Sequence, residues 1–111
     1  MPELHFLQGK KELALKEIEE ILALYEDDKE EKPLYRTYMI YGDILSDAGR
    51  LDDALKAYDE AIEVIHLVMG GNEKLLGEVL IGIGRALAHV EKWQDAEHQL
   101  AEGCRLMAKM T

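Results

Sequence analysis

The stretch YGDILSDAGRLDDALKAYDEAIEVI, residues 41–65, decides the fold. Its large apolar side chains recur at spacings of three and four, the period of one helix face. Smaller residues are set among them at Gly42, Gly49, Ala54 and Ala61. Gly49 stands where a left-handed residue would end a helix, and Asp52 and Asp53 supply carboxylates suited to the first turn of the next one. The stretch therefore predicts two helices joined by a tight turn. A glycine inside a helix costs about 1 kcal/mol relative to alanine. A close crossing of the second helix justifies that cost at Gly42, and the expected contact sets Gly42 against Ala54, with Tyr58 and Ala61 continuing the stripe toward the next hairpin.

The arrangement recurs. Sliding the chain by 42 residues lays Gly42 on Gly84, Leu45 on Leu87, Ala54 on Ala96 and Tyr58 on Leu100. Tyr38 then falls on Leu80, Tyr41 on Ile83 and Ala61 on Gly103, so small residues meet small ones and large apolar residues meet large ones. Glu91 takes the place of Gly49, which predicts a second turn made differently from the first. Upstream, a shift of 40 residues lays Gly49 on Gly9, Ala54 on Ala14, Tyr58 on Ile18 and Ala61 on Ile21. The first copy keeps only the second helix of the unit. Self-similarity at such a period is the mark of a repeat array.

Outward from this stretch, punctuation marks five helices, at about Glu3–Tyr25, Leu34–Ala48, Leu51–Met69, Glu73–Val90 and Trp93–Lys109. The run EDDKEEKP at 26–33 reads as a solvated linker, GGN at 70–72 ends the third helix, and Asn72 is placed to cap the fourth. No alternating run competes as a strand. The expected architecture is one all-α domain over residues 1–111, with a half repeat at 1–30 and repeats at 34–69 and 73–110.

Composition narrows the function. The net charge of −10 argues against nucleic acid and against anionic lipid, because both need a basic surface. Cys104 is the single cysteine, so no intrachain disulfide forms, and its helical setting reads as a small core residue. No apolar run reaches the roughly 18 residues of a membrane span, and the N-terminus lacks the pattern of a secretory leader. The expectation is a cytoplasmic protein.

Chemistry is not expected. His5, His66, His89 and His98 include no pair four residues apart and flank no cysteine pair, so no metal site is read. His98 and Cys104 sit on different helix faces, and MGGN lacks the lysine of a phosphate loop. Adjacent carboxylates such as Glu19-Glu20 and Asp52-Asp53 read as solvated faces and helix starts. Met107, with Trp93 and Leu106, reads as a packing residue, and Met110 reads equally as packing or as part of a malleable contact surface. No catalytic residue, metal or cofactor is assigned.

The run Tyr38, Tyr41-Gly42, Leu45, Gly49, Ala54, Tyr58, Ala61 resembles the tetratricopeptide-repeat family, and Leu80, Ile83-Gly84, Leu87, Ala96, Leu100, Gly103 repeats it more weakly. The spacing is similar to the longer kinesin-light-chain-type repeats. His66 and Ala108 stand where the family closes its unit with proline. The resemblance implies antiparallel hairpins stacked in a right-handed superhelix, with Gly42, Ala54, Tyr58, Ala61, Gly84, Ala96 and Leu100 as packing positions. It also implies a concave face on the first helix of each pair, formed by Arg36, Met39, Ile40, Asp43 and Asp47, then Glu78, Ile81, Gly82, Arg85 and His89. Asp43 and Met39 occupy the positions where members that clamp chaperone C-termini need lysine and asparagine.

The expected function is a non-enzymatic protein-interaction module that holds a peptide or amphipathic helix in this groove. Two other readings stand beside it: a peptide-sensing fragment of a larger regulator, and a self-assembly element. Because a half repeat and a final second helix leave apolar faces at both ends, a homo-oligomer is also expected.

Overall fold

The computed structural model describes residues 2–26 and 34–108, with side chains of the first helix described from Lys10 onward. Most of the charged run read as a linker, and Met110, lie outside the described residues, as does the side chain of His5. Five helices follow one another: α1 (Pro2–Glu26), α2 (Tyr35–Asp47), α3 (Leu51–Met69), α4 (Glu73–His89) and α5 (Trp93–Ala108). Among the described residues there is no strand, and no helix is long and apolar enough to cross a membrane.

The turns at 48–50, 70–72 and 90–92 are short, so successive helices reverse direction and α2 and α4 run the same way. The pairs α2–α3 and α4–α5 form hairpins. Helix α3 packs on α4, α2 lies beside α4, and among the described residues α1 rests on α2 only. The tie between α1 and α2 includes the Tyr41 hydroxyl, which donates to Glu19 Oε1 at 3.1 Å.

Local chemistry accounts for the ends of the helices. Asn72 accepts from the Leu75 N–H at 3.2 Å, a cap for α4. Gly49 takes φ +80, the left-handed terminator expected of it. The second turn departs from expectation. Glu91 adopts φ 64 and reproduces the same turn without glycine. The Lys92 N–H reaches Leu87 O as the Arg50 N–H reaches Leu45 O, and the Glu91 N–H reaches Ala88 O as the Gly49 N–H reaches Ser46 O. Closing the hairpin outweighs the roughly 1–2 kcal/mol that a side chain costs in this conformation.

The core lies along the hairpin seams, where Leu45, Tyr58, Ile65 and Val79 are fully buried. Ala54, Ala61, Ala96 and the glycines at 42, 84 and 103 are buried as well. The crossing itself differs from the sequence reading: the group lying on Gly42 is the Tyr58 ring, not Ala54. A Cβ on Gly42 would stand 2.8 Å from Tyr58 Cε1, and one on Gly84 would stand 2.6 Å from Leu100 Cγ. The reason is directional. A helical side chain leans toward the N-terminus and covers the turn before its own Cα, so Tyr58 reaches back over the crossing that Ala54 marks. Both hairpins thus close with the same pair of positions, a glycine under a large apolar group.

A second close approach escaped the sequence reading. A Cβ on Gly77 would meet the Gly103 carbonyl oxygen at 2.8 Å, and one on Gly103 would meet the Gly77 oxygen at 2.8 Å. Met107 packs on the same spot, with Cγ 2.7 Å from the place a Gly77 Cβ would take. Two other assignments change. Cys104 is exposed, not a core residue, and Trp93 is 63% exposed. Both belong to a face of α5 that no described helix covers.

Candidate partner groove

On α2 the residues Arg36, Met39, Ile40, Asp43 and Asp47 recur at helical spacing and form one stripe; Glu78, Arg85 and His89 do the same on α4. Because the two helices are parallel neighbours, the stripes border a common trough. It consists of two adjoining depressions that share Asp43. One, of about 340 Å³, is lined by Arg36, Met39, Ile40, Asp43 and Glu78. The other, of about 350 Å³, is lined by Asp43, Ser46, Asp47, Tyr58, Arg85, Ala86 and His89.

The floor of the first depression is aliphatic. Met39 packs against the core while Ile40 is 52% exposed. The second is polar, and Tyr58 and Asp43 fix its shape. The Tyr58 hydroxyl donates to Asp43 Oδ1 across the α2–α3 seam. Burial first, and the Asp43 carboxylate second, push the Tyr58 phenol far above the usual tyrosine range, so it stays a neutral donor. Burial, and then the bond to Glu19, likewise raise the Tyr41 phenol. The Arg36 guanidinium lies 6.0 Å from the Tyr35 ring centroid. Among the described residues no buried side-chain polar atom lacks a hydrogen-bond partner, so the polar depression stores no orphaned group.

Two residues read as groove-lining lie elsewhere. Gly82 is buried, and a Cβ there would stand 3.0 Å from Tyr58 Cε1, so the ring is held between Gly42 and Gly82. Ile81 packs toward α5, with Cγ1 2.8 Å from the place a Gly103 Cβ would take. The missing Cβ of Gly103 opens a gap, and Ile81 fills it. Conversely, the sequence reading left out Ser46, Tyr58 and Ala86 as lining residues. Ser46 stands one turn from Asp43 on the same stripe, which is the spacing that could have found it.

Among the described residues no group of three or more His, Cys, Asp and Glu is placed to hold a metal ion. A third depression, of about 510 Å³, opens on α5 at the far end of the molecule, lined by Ala88, Trp93, Ala96, Glu97, Leu100, Ala101 and Cys104. It is apolar and lies away from the trough.

Hairpins in a repeated register, with a trough running over their first helices, define a helical-repeat protein of the interaction class. Residues 33–109 match the family described as tetratricopeptide repeat, and the chain belongs to that family. Its repeats generally mediate contacts between proteins and are typically non-catalytic. No curated protein and no solved structure matches the chain.

Proposed function

We propose that the trough between α2 and α4 holds a peptide or an amphipathic helix of a protein partner, without catalysis and in the cytoplasm. The observation that carries this reading is the pair of adjoining depressions, one with an aliphatic floor of Met39 and Ile40 and both with charged walls. Aliphatic contact supplies affinity in such a groove, and the charged walls supply selectivity. A partner captured on the immobilised chain and then titrated against it tests the reading. Ile40→Glu should weaken binding by about tenfold or more, the effect of placing a charge on an apolar anchor, with the melting curve unchanged. Raising salt to physiological strength should weaken it only mildly, since screening hardly touches apolar contact. Full retention by Ile40→Glu, or a steep fall with salt, would overturn the reading.

Self-association is the second reading, and it rests on exposed apolar faces of α1 and α5. Leu13, Ile21 and Leu24 are exposed on α1, and the apolar depression around Trp93 and Leu100 is open on α5. A repeat unit buries its apolar face against a neighbour, and a second copy of the chain can cover these two exposed faces as a homodimer. Light scattering on a sizing column should give twice the 12.6 kDa chain mass at micromolar concentration. A monomer mass at every concentration rules the dimer out.

A further inference from the structure

The walls of the trough carry a charge order that its aliphatic floor does not explain. The repeat register that lays Gly42 on Gly84 also lays Arg36 on Glu78, Asp43 on Arg85 and Asp47 on His89. The parallel course of α2 and α4 puts these equivalent positions side by side. The sign inverts across the trough at Arg36 and Glu78, and it inverts again, the other way round, at Asp43 and Arg85. The two levels stand about 10 Å apart along the helices, seven residues at about 1.5 Å each. The result is a checkerboard of four charges, with Arg36, Glu78 and Asp43 around Met39 and Ile40 and with Arg85 in the adjoining polar depression.

The checkerboard is not used to tie the helices together. Among the described residues none of Arg36, Asp47, Glu78 and Arg85 forms an ion pair, although all four line the two depressions. Asp43 is held by the Tyr58 hydroxyl, which fixes one corner of the pattern in place. Arg36 lies 6.0 Å from the Tyr35 ring centroid, a contact that leaves its charge uncancelled, and Glu78 and Arg85 are left to solvent or to a partner.

We infer that the trough selects a protein segment carrying both signs in alternation. Along the α2 wall the segment places an acidic group at Arg36 and, about two helical turns on, a basic group at Asp43 and Asp47. Along the α4 wall it places a basic group at Glu78 and an acidic group at Arg85. An aliphatic residue lies between them on Met39 and Ile40. This inference rests on the trough being the partner site proposed above. A uniformly acidic segment would meet Asp43, Asp47 and Glu78, and a uniformly basic one would meet Arg36 and Arg85. Bringing like charges together costs more than complementary rim charges gain, so both kinds are rejected.

The experiment selects a displayed library of random peptide segments against the wild-type chain and against the charge-exchanged variant R36E/E78R, which keeps the net charge. Wild type should enrich segments with acidic and basic residues alternating about two turns apart. Each such segment should bind R36E/E78R about tenfold more weakly, and its copy with the matching pair of charges reversed should recover the loss. Uncharged or single-sign segments, or equal affinity for both chains, would overturn the charge order while leaving the groove reading intact. No enriched segment at all would overturn both. Circular dichroism checks the fold of R36E/E78R; should it fail, Asp47→Lys at an exposed position should weaken the same segments severalfold, and no change there would be equally fatal. Self-association abolished by Arg36→Glu would make a second copy of the chain the occupant and overturn the choice of a foreign segment.

Discussion

Tyr58→Ala should destabilise the protein by about 3–5 kcal/mol, the cost of emptying a large aromatic site in a packed core. Tyr58 is 1% exposed and sits between Gly42 and Gly82, so its ring joins α2, α3 and α4 at one point. Neither glycine carries a side chain that could swing into the void. Tyr58→Phe keeps the ring and loses only the donor to Asp43, which should cost about 1–3 kcal/mol because the acceptor is a carboxylate. The two variants also separate at high pH. The phenol's folded value is raised, so the stability it contributes is complete below the unfolded tyrosine value of about 10 and is lost as pH rises beyond it. Wild type should therefore weaken above about pH 10, and Tyr58→Phe should weaken less steeply. Urea titrations from neutral to alkaline pH measure both effects. Equal midpoints for the alanine and phenylalanine variants, or identical alkaline slopes for wild type and Tyr58→Phe, would contradict the role given to this ring.

The second large effect is expected from filling the crossings. Ala54→Leu, at a position with no exposure, and Gly84→Leu should each destabilise by about 1–3 kcal/mol or more through overpacking. The neighbours decide the order. At Gly84 the obstacle is mainly the Leu100 side chain, which borders the open depression on α5 and can move outward. At Gly103 the obstacle includes the carbonyl oxygen of Gly77, which moves only if the helix moves. Gly103→Leu should therefore exceed Gly84→Leu, while the exposed Glu60→Gln stays within about 0.5 kcal/mol of wild type. An unchanged midpoint for both Ala54→Leu and Gly84→Leu would sink the repeat alignment.

The helices were legible because their marks are local. Leu51–Met69 is bounded by an acidic first turn and by a glycine in the left-handed region, and the structure keeps those bounds. The repeat was legible because Gly42 and Gly84 each sit under a large side chain, a constraint that acts on residue type. What stayed hidden depends on three-dimensional context. Glu91 gives no sign of a left-handed turn, since hairpin closure forces it there against its own preference. Ile81 is equivalent to Met39 by register, yet it turns to α5 because Gly103 leaves a gap where the first repeat has the Cβ of Ala61. The family resemblance implies ten lining positions on α2 and α4, and eight of those residues line the two depressions. Cys104 was misread because its helix face looks apolar in sequence whether or not another helix covers it.

The short turns between α2, α3, α4 and α5 also set how the molecule folds and comes apart. Each hairpin closes through a small loop, and among the described residues every helix-to-helix contact joins neighbours or next neighbours in the chain. Little loop entropy is lost before native contacts form, so nucleation is local and fast. Either hairpin can form first and template the other, since each carries its own glycine-and-large-residue latch. Helix α1, held by α2, can detach while the α2–α4 walls stay in place. Opening thus begins at the rim of the array and reaches the seam around Tyr58 last.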